Sequence, residues 1–536
     1  MTDNIQRDLA ALHREIYRRN QERIAASVAD TGPDFRRYEA RYRNHTRRYQ
    51  AVSTPDELFT ELHDADVIYL GDYHTLPQAQ KTCVRLLRRL APTRPDLCVG
   101  LEVVQGRHQR ALDLHVAGKL GEASFLQRIG FQRHWIFGSF EPFRPILDLV
   151  REHGLTALAL DLASKPGVTL QERDDYAAER IAIALAAGRP VLALMGELHM
   201  APPHLPTAVK KALAKRDPRR ARALKEVIVY QNPEGIYAKL TERGLEHQAE
   251  VVRVAPGIFS LNATPPLICQ QSFLLWLEED DRALLDAGVS AEQFRESARL
   301  VAQLLGVNVD TELDGVTVHS VGDLRFLNGL RRSGTLTPRE LGHLKSQIAR
   351  GESFYLPRAR VAYLASPSIN HAAEEATHFV RHACGGDAEP RGAVDAFYYT
   401  ALNEMMGFFG SKLVNHRRKA PDPKAMRELV QQPPPGRETD ARIAQLALSH
   451  REGELARELG GVLEVLAAPS PLQYGVAHVL GYWQGERLYY ALMHGKVTRD
   501  QVRELFQAPL NGEGQSIRAY FRWAHLLRRV RPPARL

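Results

Sequence analysis

Two short strings in this 536-residue sequence carry the same arrangement of reactive side chains. Gly71-Asp72-Tyr73-His74 and Gly196-Glu197-Leu198-His199 each set a carboxylate two residues before an imidazole, directly after an apolar run. A third apolar run ends in Gly100-Leu101-Glu102, a fourth in Asp161, and a fifth in Gln231-Asn232. Two imidazoles with Glu102 suit a divalent metal that keeps open positions for water. The same groups without metal suit a histidine base whose tautomer a carboxylate fixes. Residue type and spacing leave both chemistries open. A single histidine after a strand is most often a hydrogen-bonded structural group, but the repeated Gly-acid-x-His form marks more than that. It makes His74, Glu102, His199, Asp72 and Glu197 the catalytic candidates, with His74, Glu102 and His199 as the metal ligands.

The elements that must position these side chains are legible as a pattern. From Ser53 onward, unbroken apolar runs alternate with longer amphipathic stretches: ADVIYLGD, LCVGLEVV, TALALDLA, PVLALMGELH and EVIVYQ. Unbroken rather than alternating apolar strands, separated by helices, predict a mostly parallel sheet covered on both faces. EVVRVAPGIFSL predicts a closing strand pair near residue 265. In such a sheet ligands bind beyond the carboxyl ends of the strands, where these polar residues collect. Secondary candidates are Gln105 and Gln109 on the helix after Glu102, His134 beside Trp135 as a wall, His204, and Arg144, placed to hold a substrate anion or pair with Asp161.

VIYLGDYHTLPQAQ, GLEVVQGRHQRALD, the Trp135-to-Arg144 stretch before TALALDLAS, and LALMGELHMAPPHLP together resemble the ChaN-like, haem-binding-uptake/Tiki superfamily, with erythromycin-esterase-type hydrolases as distant relatives. The resemblance covers about residues 55–265. Its first motif, Gly-Glu-x-His, matches Gly71 to His74 with Asp72 in place of glutamate; its second-strand glutamate matches Glu102; its closing Gly-x-x-His matches Gly196 to His199. The resemblance implies three functions: metal-dependent hydrolysis as in Tiki-type relatives, hydrolysis led by a histidine base as in the esterases, or haem binding as in ChaN. The cofactors implied are a divalent metal or haem, with a peptide, small molecule or haem as ligand. Tyr73 would be an axial haem ligand by analogy, and Asp161, Arg144 and Gln109 would line the cofactor side. The Asp72 replacement leaves room for a catalytically inactive scaffold.

Beyond residue 265 helical patterns dominate, which predicts an all-α domain over 266–536, with a break near Pro433 to Gly436. His371, Glu375, His378 and His382 fall on one helix face. Glu375-x-x-His378 has the spacing of di-iron bundles, Glu404 on a later helix fits the same pattern, and Glu340-x-x-His343 repeats it. Thr337-Pro338-Arg339-Glu340, however, reads as a capping box with proline at the first helical position. Gly407 and Gly410 predict close helix packing. Residues 1–50 read as a polar helical arm, with Leu9, Leu12, Ile16 and Tyr17 on one face and a run of interleaved Arg and Tyr held on the body by its tyrosines.

Composition narrows the classes. Apolar residues make up 44% and charged residues 25%, so disorder, collagen and coiled coil are out. The net charge of +8 permits an anionic partner without demanding one; the interleaved Arg and Tyr of the arm could touch nucleic acid but read first as a solvated helix, so no clear nucleic-acid partner is expected. Four cysteines, none in a CxxC pair, predict a reducing compartment without disulfides. No run approaches the roughly 18 apolar residues of a membrane span, and no secretory or lipoprotein signal is visible, so the expected location is cytoplasmic. No P-loop, GxGxxG after a strand, or GxSxG occurs, which removes support for a nucleotide fold or a serine hydrolase.

Overall fold

The computed structural model describes residues 5–27, 32–163, 168–280, 288–320, 323–366, 368–386, 391–456 and 460–533. The chain divides into two compact units, one spanning Asn20–Leu277 and one built from residues up to Arg19 together with Glu278–Pro533.

The first unit is α/β. Its strands are β1 (Ala51–Ser53), β2 (Val67–Asp72), β3 (Cys98–Gln105), β4 (Thr156–Asp161), β5 (Val191–Gly196), β6 (Glu226–Gln231), β7 (Val251–Ala255) and β8 (Ile258–Leu261). They form one sheet in the order β1-β7-β8-β6-β2-β5-β3-β4. Pairing is parallel from β8 through β4, and the expected closing pair β7–β8 is antiparallel, as is β1–β7. The apolar runs are unbroken because each strand feeds two cores. Ile68, Leu70, Val99, Leu101, Leu192, Leu194, Val227 and Val229 join one buried cluster with helices Pro77–Leu90 and Arg144–Glu152. Their neighbours Val67, Tyr69, Cys98, Val191, Ala193, Met195, Ile228 and Tyr230 join a second, with helices Leu170–Ala186 and Leu205–Arg216. Such two-sided burial is the signature of a parallel sheet.

The alternation fails at one place that matters. Val103 and Val104, adjacent in sequence, both lie in the first core, and the β3–β4 register shifts between Leu101 and Gln105. The β3–β5 pairing stops at Leu101. Glu102 therefore sits at the irregularity, where the ladder opens.

The arm contains two helices, Ile5–Ser27 and Pro33–His45, and Tyr38 and Tyr42 of the second are buried. The other unit is mainly helical, with long helices Gly288–Leu305, Ile369–Gly385, Ala393–Val414 and Ser470–Met493. It also holds a small sheet of β9 (Thr317–Ser320), β10 (Phe354–Leu356) and β11 (Val361–Leu364), in the order β10-β11-β9. These strands are three or four residues long, too short for the periodicity of the sequence to announce. Gly407 and Gly410 do allow close packing: a Cβ on either would run into His378 or Thr377. Cys83, Cys98, Cys269 and Cys384 are all free thiols, and among the described residues no helix is long and apolar enough to cross a membrane.

Candidate strand-end site

Strands β2, β5 and β3 are neighbours, so His74, His199 and Glu102 meet at one sheet edge. His74 follows β2, and its Nδ1 lies 2.9 Å from Asp72 Oδ2. Asp72 is buried, and its other oxygen accepts the Gln80 amide at 2.5 Å. His199, in the turn after β5, places Nδ1 2.6 Å from Asp174 Oδ1. Tyr38 donates to Asp174 Oδ2 at 2.7 Å, with its oxygen 3.0 Å from the same imidazole nitrogen. The two histidines thus form two Asp–His pairs on opposite sides of one carboxylate. His74 Nε2 is 3.7 Å from Glu102 Oε2, and His199 Nε2 is 3.9 Å from Glu102 Oε1.

Glu102 is buried, and both of its oxygens are used. Arg173 Nη2 donates to Oε1 at 2.5 Å, and the Gly196 N–H donates to Oε2 at 2.5 Å. Arg173 also grips Asp161 Oδ1 through Nε at 3.0 Å and Nη2 at 2.7 Å. Burial alone would raise the Glu102 carboxyl, but Arg173, His74 and His199 outweigh it and hold it at about 2. Burial pulls His74 down, yet Glu102 and Asp72 win and raise it above the ordinary imidazole value. Asp161 is raised by burial despite Arg173.

Gly196 is glycine for space rather than backbone freedom: its φ is −49°. A Cβ there would stand 3.1 Å from His74 Nε2 and 3.4 Å from His199 Cδ2. The missing side chain leaves the gap onto which both imidazoles face. The outer wall is aromatic. Trp135 and Phe137 pack on the His74 ring at 4.8 and 4.7 Å between centroids, and Phe137 continues to Trp276 at 5.4 Å. Trp276 is tied to this unit by its indole N–H donating to Ile136 O at 2.5 Å.

Several expected participants stand elsewhere. Arg144 is exposed and makes a two-pronged pair with Glu122, so it does not meet Asp161, whose partner is Arg173. Gln109 bridges the edge of β4, accepting from Ala159 N and donating to Ala157 O. His134 bonds Gly130 O and Val103 O, and His204 bonds Leu198 O while stacking on Tyr38, so both serve structure. Glu197 turns toward β6, where Oε1 accepts the Gln231 N–H at 3.0 Å, and burial pushes it up to about 8. Gln105 is buried with Oε1 lacking a protein partner. Arg173, Asp174, Gln80 and Tyr38 were not anticipated. The signal for the first two was Arg-Asp-Asp in the first turns of helix Leu170–Ala186, a helix that follows a strand ending in Asp161.

The expected metal is not supported. Among the described residues no three His, Cys, Asp or Glu side chains are arranged to hold an ion. The reason is visible at Glu102, whose demand for a cation is met by Arg173. Haem does not fit the imidazoles either. The side chain of His199 is only 4% exposed, and the Nε2 atoms of both rings face a buried carboxylate. Tyr73, by contrast, is half-buried in the turn after β2.

Residues 58–167 match the family described as haem-binding uptake, Tiki superfamily, ChaN. A solved structure titled "Cofacial heme binding to ChaN of Campylobacter jejuni" is similar over 33% of this chain and 86% of that chain, with 16% identity and a TM-score of 0.26. No curated protein matches. The matched segment 58–167 supplies Asp72, His74 and Glu102 and ends before Arg173, Asp174 and His199.

Proposed function

We propose that the strand-end site hydrolyses an ester or amide by imidazole acid–base chemistry. One observation carries this reading: two Asp–His pairs, from two separate strand ends, direct their Nε2 atoms to within 3.7 and 3.9 Å of one ionised, buried glutamate. A packing role alone would not call for two oriented imidazoles sharing a carboxylate in a cleft walled by Trp135 and Phe137.

Asp72 accepts the Nδ1–H of His74 and so leaves Nε2 as its basic nitrogen. A water in the Gly196 gap gives its proton to that nitrogen, and its oxygen attacks the substrate carbonyl carbon. His74 then returns that proton to the leaving oxygen or nitrogen, while His199, held by Asp174 and Tyr38, faces the same gap as the second oriented imidazole and positions the water. Glu102 stabilises the imidazolium that forms, and Arg173 keeps Glu102 ionised. Because Glu102 and Asp72 favour the protonated form of His74, the rate rises as pH climbs through its elevated pKa.

The test uses the full chain against a panel of nitrophenyl esters and peptide anilides. Hydrolysis falls at least about 100-fold in His74→Ala and His199→Ala, in line with the usual worth of a general base, and chelators leave it unchanged. Hydrolysis indifferent to both substitutions refutes the reading.

A second reading rests on Tyr73 and the apolar surface beside it. Thr75 Oγ1 is 3.0 Å from Ser272 Oγ, which brings the Tyr73 turn to the helix carrying Phe273 and Trp276, and Ile136 nearby is 56% exposed. Tyr73 would hold haem there through its phenolate, and the bound iron would supply ligand-binding and redox chemistry. A Soret band on adding haemin that is lost in Tyr73→Phe, with no hydrolysis on the panel, favours this reading over the first.

A further inference from the structure

The glutamates and histidines of the helical unit whose spacing suggested a di-iron bundle are paired with their neighbours. His378 Nδ1 lies 3.1 Å from Glu375 Oε2; His478 Nδ1 lies 2.7 Å from Glu404 Oε2; Tyr474 donates to Glu404 Oε1 at 3.1 Å. No three of these ligand types share a centre among the described residues, and Glu340 is accounted for by its capping box with Thr337. The basic run of the arm is different, because some of its charges are left over.

Arg37 and Arg43 of the arm pair with Asp34 and Glu39. Arg47 and Arg48 lie further on, in the turn between helix Pro33–His45 and β1. A structural task for them there would be to satisfy the carbonyls that end the helix, where cations are favoured. Thr46 already does this: its N–H and its hydroxyl each donate to Tyr42 O at 3.1 Å. The exposed side chains of Arg47, Arg48 and His45 have no hydrogen bond or ion pair among the described residues. The turn itself is fixed. Thr46 is buried, and Gly235 lets the backbone approach, because a Cβ there would stand 2.7 Å from Thr46 O and 3.0 Å from Arg47 Cα. Beyond it, Tyr49 packs on Ile236, Leu240, Ala249 and Val252, and the Gln50 N–H donates to Arg253 O at 2.8 Å. Two unpaired guanidiniums thus stand on a backbone that is already ordered, which lowers the cost of binding to them.

A cleft of about 420 Å³ opens at this turn. Asn44, His45, Arg47 and Arg48 give it polar walls, and the half-buried Val254, Ala255 and Ile258 of β7 and β8 give it an apolar one. No carboxylate lines it. Two guanidiniums without a counter-charge call for two negative charges held close together, and a phosphate monoester carries about −1.5 to −2 on one group. The volume falls in the usual range of small-ligand sites, roughly 300–1,000 Å³, so there is room for an organic part as well as the phosphate. A nucleic-acid strand would ask for aromatic faces on which to stack its bases, and none lines the cleft.

We propose that this cleft binds a small phosphate monoester with an apolar or planar organic part. The phosphate meets Arg47 and Arg48, with His45 and Asn44 as further donors, and the organic part lies against Val254 and Ile258. The cleft shares no lining residue with the strand-end site, so its ligand is independent of the chemistry there.

The probes are phenyl phosphate and adenosine 5′-monophosphate, titrated into the full chain by calorimetry. The expected result is saturable binding of both that weakens as salt rises. Inorganic phosphate, which leaves the apolar wall bare, and adenosine, which lacks the charge, bind at least about tenfold more weakly. Arg47→Ala and Arg48→Ala each weaken the esters at least about tenfold with unchanged melting, because both side chains are exposed and unpaired. Arg128→Ala, which removes an exposed charge elsewhere on the same unit, changes nothing. Absence of binding by both esters overturns the proposal, as does binding indifferent to Arg47→Ala and Arg48→Ala. Succinate binding as tightly as the esters also overturns it and makes the cleft a general anion site. A single-stranded oligonucleotide that binds more tightly than the monophosphate, with the same loss in the arginine variants, overturns it in favour of a nucleic-acid surface.

Discussion

Replacing Glu102 by glutamine tests the charge arrangement on which the strand-end site rests. The Glu102 carboxyl is held at about 2, against 4.5 for an unperturbed glutamate. At about 1.36 kcal/mol per pH unit, this difference makes ionised Glu102 worth about 3 kcal/mol to the folded state. The sign follows from the depressed folded pKa. The contribution is complete above about 4.5 and is lost as pH falls toward about 2. Glu102→Gln should therefore be less stable than the parent by about 3 kcal/mol at pH 6, a size also expected when a buried ion pair loses one partner. The gap should close as pH approaches 2. Urea unfolding of both proteins at several pH values between 2 and 6 measures it. Glu404 is held equally low and titrates in the same window, but it is present in both proteins and cancels in the difference. A gap that stays constant with pH, or that never exceeds about 1 kcal/mol, refutes the claim that Arg173 and the two imidazoles keep Glu102 ionised. In the same variant His74 loses its nearest countercharge after Asp72, so the rise of hydrolysis with pH should move to lower pH.

Gly196→Ala places a methyl 3.1 Å from His74 Nε2 and fills the gap between the imidazoles; hydrolysis in a stopped assay should drop at least about tenfold while melting shows a loss of about 1–3 kcal/mol from overpacking. Tyr38→Phe removes the donor to Asp174 and should lower stability by about 1–3 kcal/mol, read from thermal unfolding, because the acceptor stays buried. Glu197→Gln should stabilise the protein by roughly 1–3 kcal/mol at pH 8 and by almost nothing at pH 4. A carboxyl raised to about 8 in the folded state opposes folding increasingly as pH climbs from its unfolded value of 4.5 to about 8, and urea midpoints at the two pH values show the difference.

Much of the strand-end site was legible because the sheet imposes a simple rule: apolar runs stop where polar groups begin, and parallel strands stop at the same edge. Asp72, His74, Glu102 and His199 follow from it. Arg173 and Asp174 were hidden because they sit on an amphipathic helix whose charged residues read as a solvated face. Nothing in local sequence says that the first turns of that helix point back at the sheet. Arg144 was the natural partner for Asp161 by position before a strand, yet the long side chain of Arg173, twelve residues beyond Asp161, reaches it instead. Tyr38 comes from an arm whose tyrosines were expected only to pack. Glu197 shared the motif of Asp72 but turned toward β6: it opens the 3-10 turn after β5, whereas Asp72 is still the last residue of β2. In the helical unit, Glu340 was read correctly from its capping box, while the short strands β9, β10 and β11 lay below the length at which a pattern can show.

The order β2-β5-β3 at the centre of the sheet has a kinetic consequence. The strands that carry His74 and His199 are neighbours in space but remote in the chain, and β3, with its crossovers, is synthesised between them. Each parallel pairing must close a long loop before it gains a ladder, and such pairings form slowly. The last of the three strands to emerge, β5, is the one inserted between the other two, so no partial sheet of β2 and β3 resembles the finished edge. A folding intermediate can hold most of its helices and still lack every distance that defines the site. Competence at the strand ends is thus a property of the completed sheet.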